Sequence, residues 1–309
     1  MIRVLFAAAE KRWAEYEAPL RHALDNTGLD YELGLDFAPE TVDYIVFAPN
    51  GPIEDFAPYT ACKAILGLWA GVEVALRNET LTQPFARMVD DSLTQGMTEW
   101  VTGHVLRHHL GMDAHIVNPD HQWVTKAPPL AADRIVTILG IGELGAAAGA
   151  ALAGLNFNVR GWSRSAKDLP GIACYHGEEG LTEALRGADF CVLLLPQTPA
   201  TLNVLNAERL ALMAKGSFVI NPGRGPLIDD AALLAALESG QIAHATLDVF
   251  RTEPLPQDDP YWAHPRVTVT PHIASETRAG TASLSIAQNI ARHEAGQPLA
   301  NLVDRSAGY

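Results

Sequence analysis

The chain has 309 residues, 48% of them hydrophobic and 19% charged. That length exceeds one typical hydrophobic core and suits two domains, and the composition excludes a disordered protein. A formal net charge of −14 argues against nucleic acid and acidic membranes as partners, so any anionic ligand must be held by local donors.

Strand-like and helix-like segments alternate from the start. The apolar run in MIRVLFAAAEKRW is far too short to span a membrane and lacks the ordered regions of a signal peptide. It reads as a first strand, and a cytoplasmic location is expected. Residues 29–34 (LDYELG), 42–49 (VDYIVFAP) and 64–69 (AILGLW) read as further strands, and 15–28 (EYEAPLRHALDNTG) has helical spacing with a Gly stop. A long helix is predicted near 98–110, followed by a proline-bearing loop with Asn118-Pro119, Pro128 and Pro129. A second series of strands then covers IVTILG, NVRGWS, DFCVLLLP, SFVINPG, HATLDVF and VTVTP. Unalternating runs such as CVLLL fit parallel strands buried on both faces. Helices ERLALMA and DDAALLAALESG lie between them, the latter ended by Gly240. A last helix is predicted over 276–295. It follows the last strand of the second series, so it can return to the first domain. The expected domains are 1–96 with 276–309, and 97–275.

Cys62, Cys174 and Cys191 are far apart and show no C-x-x-C spacing. They read as buried thiols in a reducing compartment. His104 and His108 are spaced i, i+4, as metal ligands can be, but no nearby acid or thiol completes a set. No metal is expected. Trp100, Val101, Val105 and Leu106 make an apolar stripe on the same helix, which is expected to be partly exposed or interface-facing, with the stripe packing on the core or on a second subunit.

RIVTILGIGELG, from Arg134 to Gly145, is the most informative segment. A strand runs into Gly140, Gly142 and Gly145, and an Ala-rich helix opens at once. That is the dinucleotide-binding fingerprint. Gly140 permits a tight turn, Gly142 lets backbone approach a pyrophosphate, and Gly145 lets the helix lie close on the strand. The N–H groups at the helix start, around Glu143 and Leu144, face the phosphates. About twenty residues on, an acid would bind the ribose of NAD, but here the strand ends Trp162-Ser163-Arg164-Ser165. A guanidinium fork with two hydroxyls suits a 2′-phosphate, so NADP is expected, with NAD possible at lower preference. Asp168 is the nearest substitute acid.

Three later segments each follow a strand end: NPGRGPLID with Arg224, LDVFRTEPLP with Asp248 and Glu253, and VTVTPHIASET with His272. In an open α/β sheet that edge binds ligands. Arg can bind a carboxylate and polarise a carbonyl, His can exchange a proton, and Glu can orient the imidazole.

These segments, with the fingerprint, closely resemble the D-isomer-specific 2-hydroxyacid dehydrogenases over nearly the whole chain. The resemblance implies catalytic roles for Arg224, Glu253 and His272. It implies a cofactor-facing loop at LLLPQTPATLN, including Leu195 and Pro196, and cofactor contacts from Pro222, Gly223, Asp248, Ala274 and Ser275. RMVDDSLTQGMTEW, GWSRS and DPYWAHPRVTVTPH look most like the glyoxylate/hydroxypyruvate reductase branch. That branch implies NADPH-dependent reduction of small 2-oxo acids, a Rossmann-type dinucleotide domain with a flavodoxin-like substrate domain, and a homodimer.

Two departures stand out. Trp69-Ala70-Gly71-Val72-Glu73 replaces a small-residue loop whose backbone N–H groups bind the substrate carboxylate in the family. Ala70 and Gly71 can still do so, and Trp69 is expected to restrict substrate size unless its ring packs in the core. Pro222 and Gly223 replace a more usual small or apolar pair. The alternatives are a relative with a larger substrate, of phosphoglycerate type, and a silent dinucleotide sensor.

Overall fold

Strands and helices alternate in the computed structural model, which describes residues 1–123, 125–306 and 308. In chain order the first elements are β1 (Ile2–Ala7), α1 (Glu10–Asp25), β2 (Tyr31–Gly34), β3 (Tyr44–Phe47), β4 (Ala64–Gly67), α2 (Glu73–Leu76), β5 (Phe85–Ala86), α3 (Asp91–His109) and α4 (Asp113–Ile116). Then come β6 (Ile135–Leu139), α5 (Glu143–Gly154), β7 (Asn158–Ser163), β8 (Ala173–His176), α6 (Gly177–Leu185), β9 (Phe190–Leu193), α7 (Ala207–Leu212) and β10 (Ser217–Asn221). The series closes with α8 (Asp230–Glu238), β11 (Ile242–Leu247), α9 (Pro260–Ala263), β12 (Val267–Val269) and α10 (Ala279–Glu294). Two units form, Met1–Leu93 with Glu276–Tyr309, and Thr94–Ser275.

The first unit holds a parallel five-stranded sheet in the order β2-β1-β3-β4-β5, a flavodoxin-like arrangement. On one face, Tyr16, Leu20 and Leu24 of α1 and Ile286 and Ile290 of α10 pack over Val4, Phe6 and Val46. On the other, Phe47, Phe56, Ile65 and Phe85 form a second core. The apolar positions of α1 fall i, i+4, i+8, which is one face of a helix.

The second unit holds a parallel seven-stranded sheet in the order β12-β11-β10-β9-β6-β7-β8. The order reverses between β6 and β9, which is the Rossmann switch point. Both faces are covered, by α3 and α5 on one side and by α6, α7 and α8 on the other. Phe190–Leu193 is therefore wholly buried, as its unbroken apolar run requires. Asn206, Asp229 and Asp259 cap α7, α8 and α9 by accepting from Arg209 N, Ala232 N and Tyr261 N. Gly240, at φ +72°, ends α8. No helix among the described residues is long and apolar enough to cross a membrane.

Several expectations need correction. The short strands β5 and β8 were not anticipated, because two residues carry no period and Ala173–His176 is a partly exposed edge without an apolar run. Helix α3 starts at Asp91 rather than near 98, because the Asp90 carboxylate accepts from Leu93 N at 2.7 Å. Helix α10 begins only at Ala279; Glu276 precedes it and pairs with Arg12 at 2.5 Å. His108 and His109 are buried, not partly exposed, and Cys174 is only half-buried.

Candidate active site

The fingerprint turn is built by steric necessity. Gly140 has φ +104°, and a Cβ there would lie 2.6 Å from the Leu194 carbonyl carbon. A Cβ on Gly145 would lie 1.9 Å from the Gly140 carbonyl oxygen. Gly140 lets the turn after β6 lie against the chain after β9, and Gly145 lets α5 start directly against that turn. Gly142 is different: an added Cβ there meets nothing within 4 Å. It is the N-cap of α5, and no side chain caps the helix. The first-turn N–H groups at Glu143 and Leu144 lie where a helix has no intrahelical partners for them, next to the open position at Gly142. This donor set fits a dinucleotide pyrophosphate.

Beside it, Ser163 Oγ donates to Ser165 O at 2.7 Å, and Trp162 Nε1 donates to Gly177 O at 2.8 Å. These bonds shape the turn that carries exposed Arg164. Lys167, which the sequence reading passed over, donates from Nζ to Ile141 O at 2.9 Å. Ile141 is the middle residue of the G-x-G turn, so the ammonium bridges the two loops. The available sequence signal was a second cation three residues after Arg164.

The three catalytic candidates all lie in the second unit, just beyond the ends of β10, β11 and β12. Arg224 is half-buried, and its guanidinium donates to Gly223 O at 2.6 Å. Buried Asn221 organises this turn by accepting from Gly223 N at 3.1 Å and donating to Arg224 O at 2.9 Å. A Cβ on Gly223 would lie 2.7 Å from Leu193 O, so glycine is required where the turn crosses β9.

His272 Nδ1 and Glu253 Oε2 are 2.7 Å apart. The other oxygen of Glu253 accepts from Phe250 N at 2.8 Å, so the carboxylate is held by its own loop. The hydrogen bond to Glu253 raises the His272 pKa above its ordinary value, against desolvation and the positive charge of Arg224. Burial pushes Glu253 upward, but bonds from His272 and Phe250 N and the charges of His272 and Arg224 outweigh it, and its pKa is lowered. Both side chains remain partly open to solvent.

His272 has φ +55°, a conformation that costs a non-glycine residue roughly 1–3 kcal/mol and persists only where its surroundings hold it. Its N–H donates to Asp248 O at 2.9 Å. The Asp248 carboxylate accepts from Thr270 Oγ1 at 2.5 Å, Ile273 N at 2.9 Å and Ala274 N at 2.8 Å. Asp248, expected at the cofactor, is fully buried, and its carboxylate braces the His272 loop. Its strand-end position is legible in sequence, and its side-chain direction is not.

Leu195, Pro222, Gly223 and Ala274 are buried along the same strand-end edge, with Pro196 and Ser275 half-buried. In the first unit, Trp69, Ala70 and Gly71 follow β4. Trp69 is 40% exposed while Leu68 is 3% exposed, so the ring is not part of that unit's core. Trp69 O accepts from Met88 N at 3.0 Å, which anchors the loop. His108 is committed elsewhere: Nε2 lies 2.8 Å from Thr246 Oγ1 and its ring stacks on Phe218.

The family model described as "D-isomer specific 2-hydroxyacid dehydrogenase, NAD binding domain" matches residues 103–274. A glyoxylate/hydroxypyruvate reductase A of Serratia proteamaculans is 40% identical over 276 residues, 86% of this chain and 88% of that protein. A D-isomer-specific 2-hydroxyacid dehydrogenase of Xanthobacter autotrophicus, solved with NADPH, has a TM-score of 0.92 at 40% identity, covering 100% of this chain and 99% of that one. An NADPH-dependent glyoxylate/hydroxypyruvate reductase of Sinorhizobium meliloti, solved with NADP and sulfate, has a TM-score of 0.88 at 34% identity, covering 100% and 99%. With this extent of similarity and this fold, the chain belongs to the D-isomer-specific 2-hydroxyacid dehydrogenase family.

Proposed function

We propose that this enzyme reduces small 2-oxo acids of the glyoxylate and hydroxypyruvate class to 2-hydroxy acids, with NADPH preferred and NADH a poorer substitute. The observation that carries the proposal is the Glu253–His272 pair beside Arg224, at the edge where the sheet also presents its fingerprint turn. NADPH, when bound, supplies the hydride. His272, as imidazolium, gives the Nε2 proton to the carbonyl oxygen, and Glu253 holds Nδ1 so that the transferable proton is the one on Nε2. Arg224 binds the substrate carboxylate and stabilises negative charge growing on the carbonyl oxygen. In the first unit, the resemblance to the family gives Ala70 and Gly71 the part of backbone donors for a carboxylate and Trp69 a part in limiting substrate size. His272, once neutral, regains a proton from water through its open side.

On the cofactor side, Gly140, Gly142, Glu143, Leu144 and Gly145 hold the pyrophosphate, and Arg164 with Lys167 faces the 2′-phosphate. A 2′-phosphate carries close to two negative charges, and two cations flanking one turn suit it better than the ribose of NAD.

Reduction requires protonated His272. Its raised pKa therefore extends activity upward in pH, and the rate falls as pH rises through that pKa. The test is NADPH and NADH oxidation with a panel of 2-oxo acids. His272→Gln should lose about 10²–10⁴ in turnover while keeping NADPH affinity, and Glu253→Gln should move the alkaline limb to lower pH. A chain that binds NADPH and turns over none of the panel would be a sensor, not a reductase.

The assembly proposed is a homodimer in the cytoplasm. Leu110, Met112, Ile116, Val117, Trp123 and Leu130 are exposed within one stretch of the second unit, and a second copy covering them would remove apolar surface from water. Three free cysteines suit a reducing compartment.

A further inference from the structure

The Glu253 loop is fastened by a side chain that plays no part in the chemistry above. Arg251 Nε donates to Asp230 Oδ2 at 2.7 Å, and the same guanidinium bonds Asn203 Oδ1 and Ile228 O. Asp230, in the first turn of α8, accepts on its other oxygen from Tyr261 Oη at 2.9 Å. Four segments of the second unit therefore converge on one guanidinium and one carboxylate. Two of them are functional: 222–230 carries Arg224, and 248–255 carries Glu253.

The backbone makes a second junction between the same segments. A Cβ on Gly225 would lie 2.1 Å from the Phe250 carbonyl carbon, so the residue after Arg224 is pressed against the Phe250–Arg251 peptide, one peptide on from the N–H that donates to Glu253. Arg251 supplies the nitrogen of that peptide. A cavity of about 90 Å³ adjoins the loop, lined by Asn221, Gly225, Asp230, Phe250, Arg251 and Tyr261 among others. Packing of buried Val249 and Phe250 holds one side of the loop, and the Arg251 hydrogen bonds hold the other. The Arg251–Asp230 pair is about 40% exposed on each side, and an ion pair that open adds little stability. A planar fork that meets three acceptors at once does fix geometry.

We propose that Arg251 is a positioning residue for the Glu253–His272 pair: with Asp230 and Tyr261 it clamps the Glu253 loop to the segment carrying Arg224. This rests on the reading of Glu253 and His272 given above. Without the clamp, Phe250 N and Glu253 shift together, the 2.7 Å contact with His272 loosens, and the imidazolium loses part of its support.

The test uses the full chain. Arg251→Ala should lower kcat with glyoxylate roughly tenfold, as small misplacement of a reacting group does. It should move the alkaline limb of the pH–rate profile downward, in the direction of Glu253→Gln and by less. NADPH affinity should stay unchanged. Arg251→Lys keeps the charge but not the fork and should recover only part of the loss. The His272 titration read by NMR without cofactor should move down in the same variants. If Arg251→Ala does not fold, Asp230→Asn removes the charge partner and should show the same pH shift. A lower melting temperature with an unmoved profile and an unmoved His272 titration would overturn the proposal, since that is what a merely structural contact does. Glu253→Gln separates the two failures. If it moves the profile and Arg251→Ala does not, only the clamp is overturned. If neither moves it, the Glu253–His272 reading fails, and the clamp with it.

Discussion

Asp248→Asn tests how the site holds its histidine. The carboxylate is fully buried and accepts three hydrogen bonds from the 270–274 loop, two on Oδ1 and one on Oδ2. Asparagine keeps one acceptor and turns the other into an amino group facing a donor. Whichever way the amide sits, at least one bond to a charged acceptor is lost, at about 1.5–3 kcal/mol, and a buried N–H is left unpaired, at about 1–3 kcal/mol more. Relaxation of the loop offsets part of this, so an overall loss of about 2–4 kcal/mol in unfolding free energy is expected. The loop also carries a residue at φ +55°, and releasing its restraint lets His272 leave that conformation. A displacement near 1 Å costs on the order of 10²-fold in rate. Urea unfolding followed by tryptophan fluorescence, steady-state reduction of glyoxylate, and fluorescence titration with NADPH check the three parts. The expected pattern is lower stability, much lower kcat and nearly unchanged NADPH affinity. A variant as stable as its parent that has lost NADPH affinity would refute the reasoning and return Asp248 to the cofactor.

Arg164→Ala should weaken NADPH by on the order of tenfold to a hundredfold, the worth of one charge-assisted contact, and leave NADH nearly unchanged. Lys167→Ala should act in the same sense, and calorimetry with adenosine 2′,5′-bisphosphate against 5′-AMP isolates the phosphate; equal weakening of both probes would mean that Lys167 serves only the turn. His108 should make the fold acid-sensitive. Burial, then His244 and Arg107, push its pKa down to about 3, so the unfolded chain takes up a proton at about 6.5 that the folded chain refuses. Stability falls as pH drops below 6.5, by about 1.4 kcal/mol per unit, or about 2.7 kcal/mol at pH 4.5. His108→Gln should flatten that slope, and parallel slopes in urea titrations at pH 7 and 4.5 would count against it. Trp69→Gly should raise activity on larger 2-oxo acids relative to glyoxylate with little loss of stability. An unchanged order of substrates would defeat the size role of this ring.

How much was legible in the chain depends on the range of the forces involved. Unbroken apolar runs must be buried on both faces, so FCVL and its neighbours declared parallel strands without a structure. Gly140, Gly142 and Gly145 declared a turn by their spacing, with Gly140 held at a positive φ and Gly145 by close backbone approach, and Arg224, Glu253 and His272 stood at strand ends by simple counting. Signals of two residues, or of an edge without an apolar face, carried no period, and β5 and β8 were invisible for that reason. Side-chain direction is a tertiary matter. The position of Asp248 after β11 could be read, but only packing turned its carboxylate into the 270–274 loop. The reach of Lys167 to the G-x-G turn, the burial of His108 against Phe218, and the convergence of Arg251, Asp230 and Tyr261 join residues 26, 110 and up to 31 positions apart. Sequence order does not encode such contacts, because they exist only once the sheet has brought its strand ends to one edge.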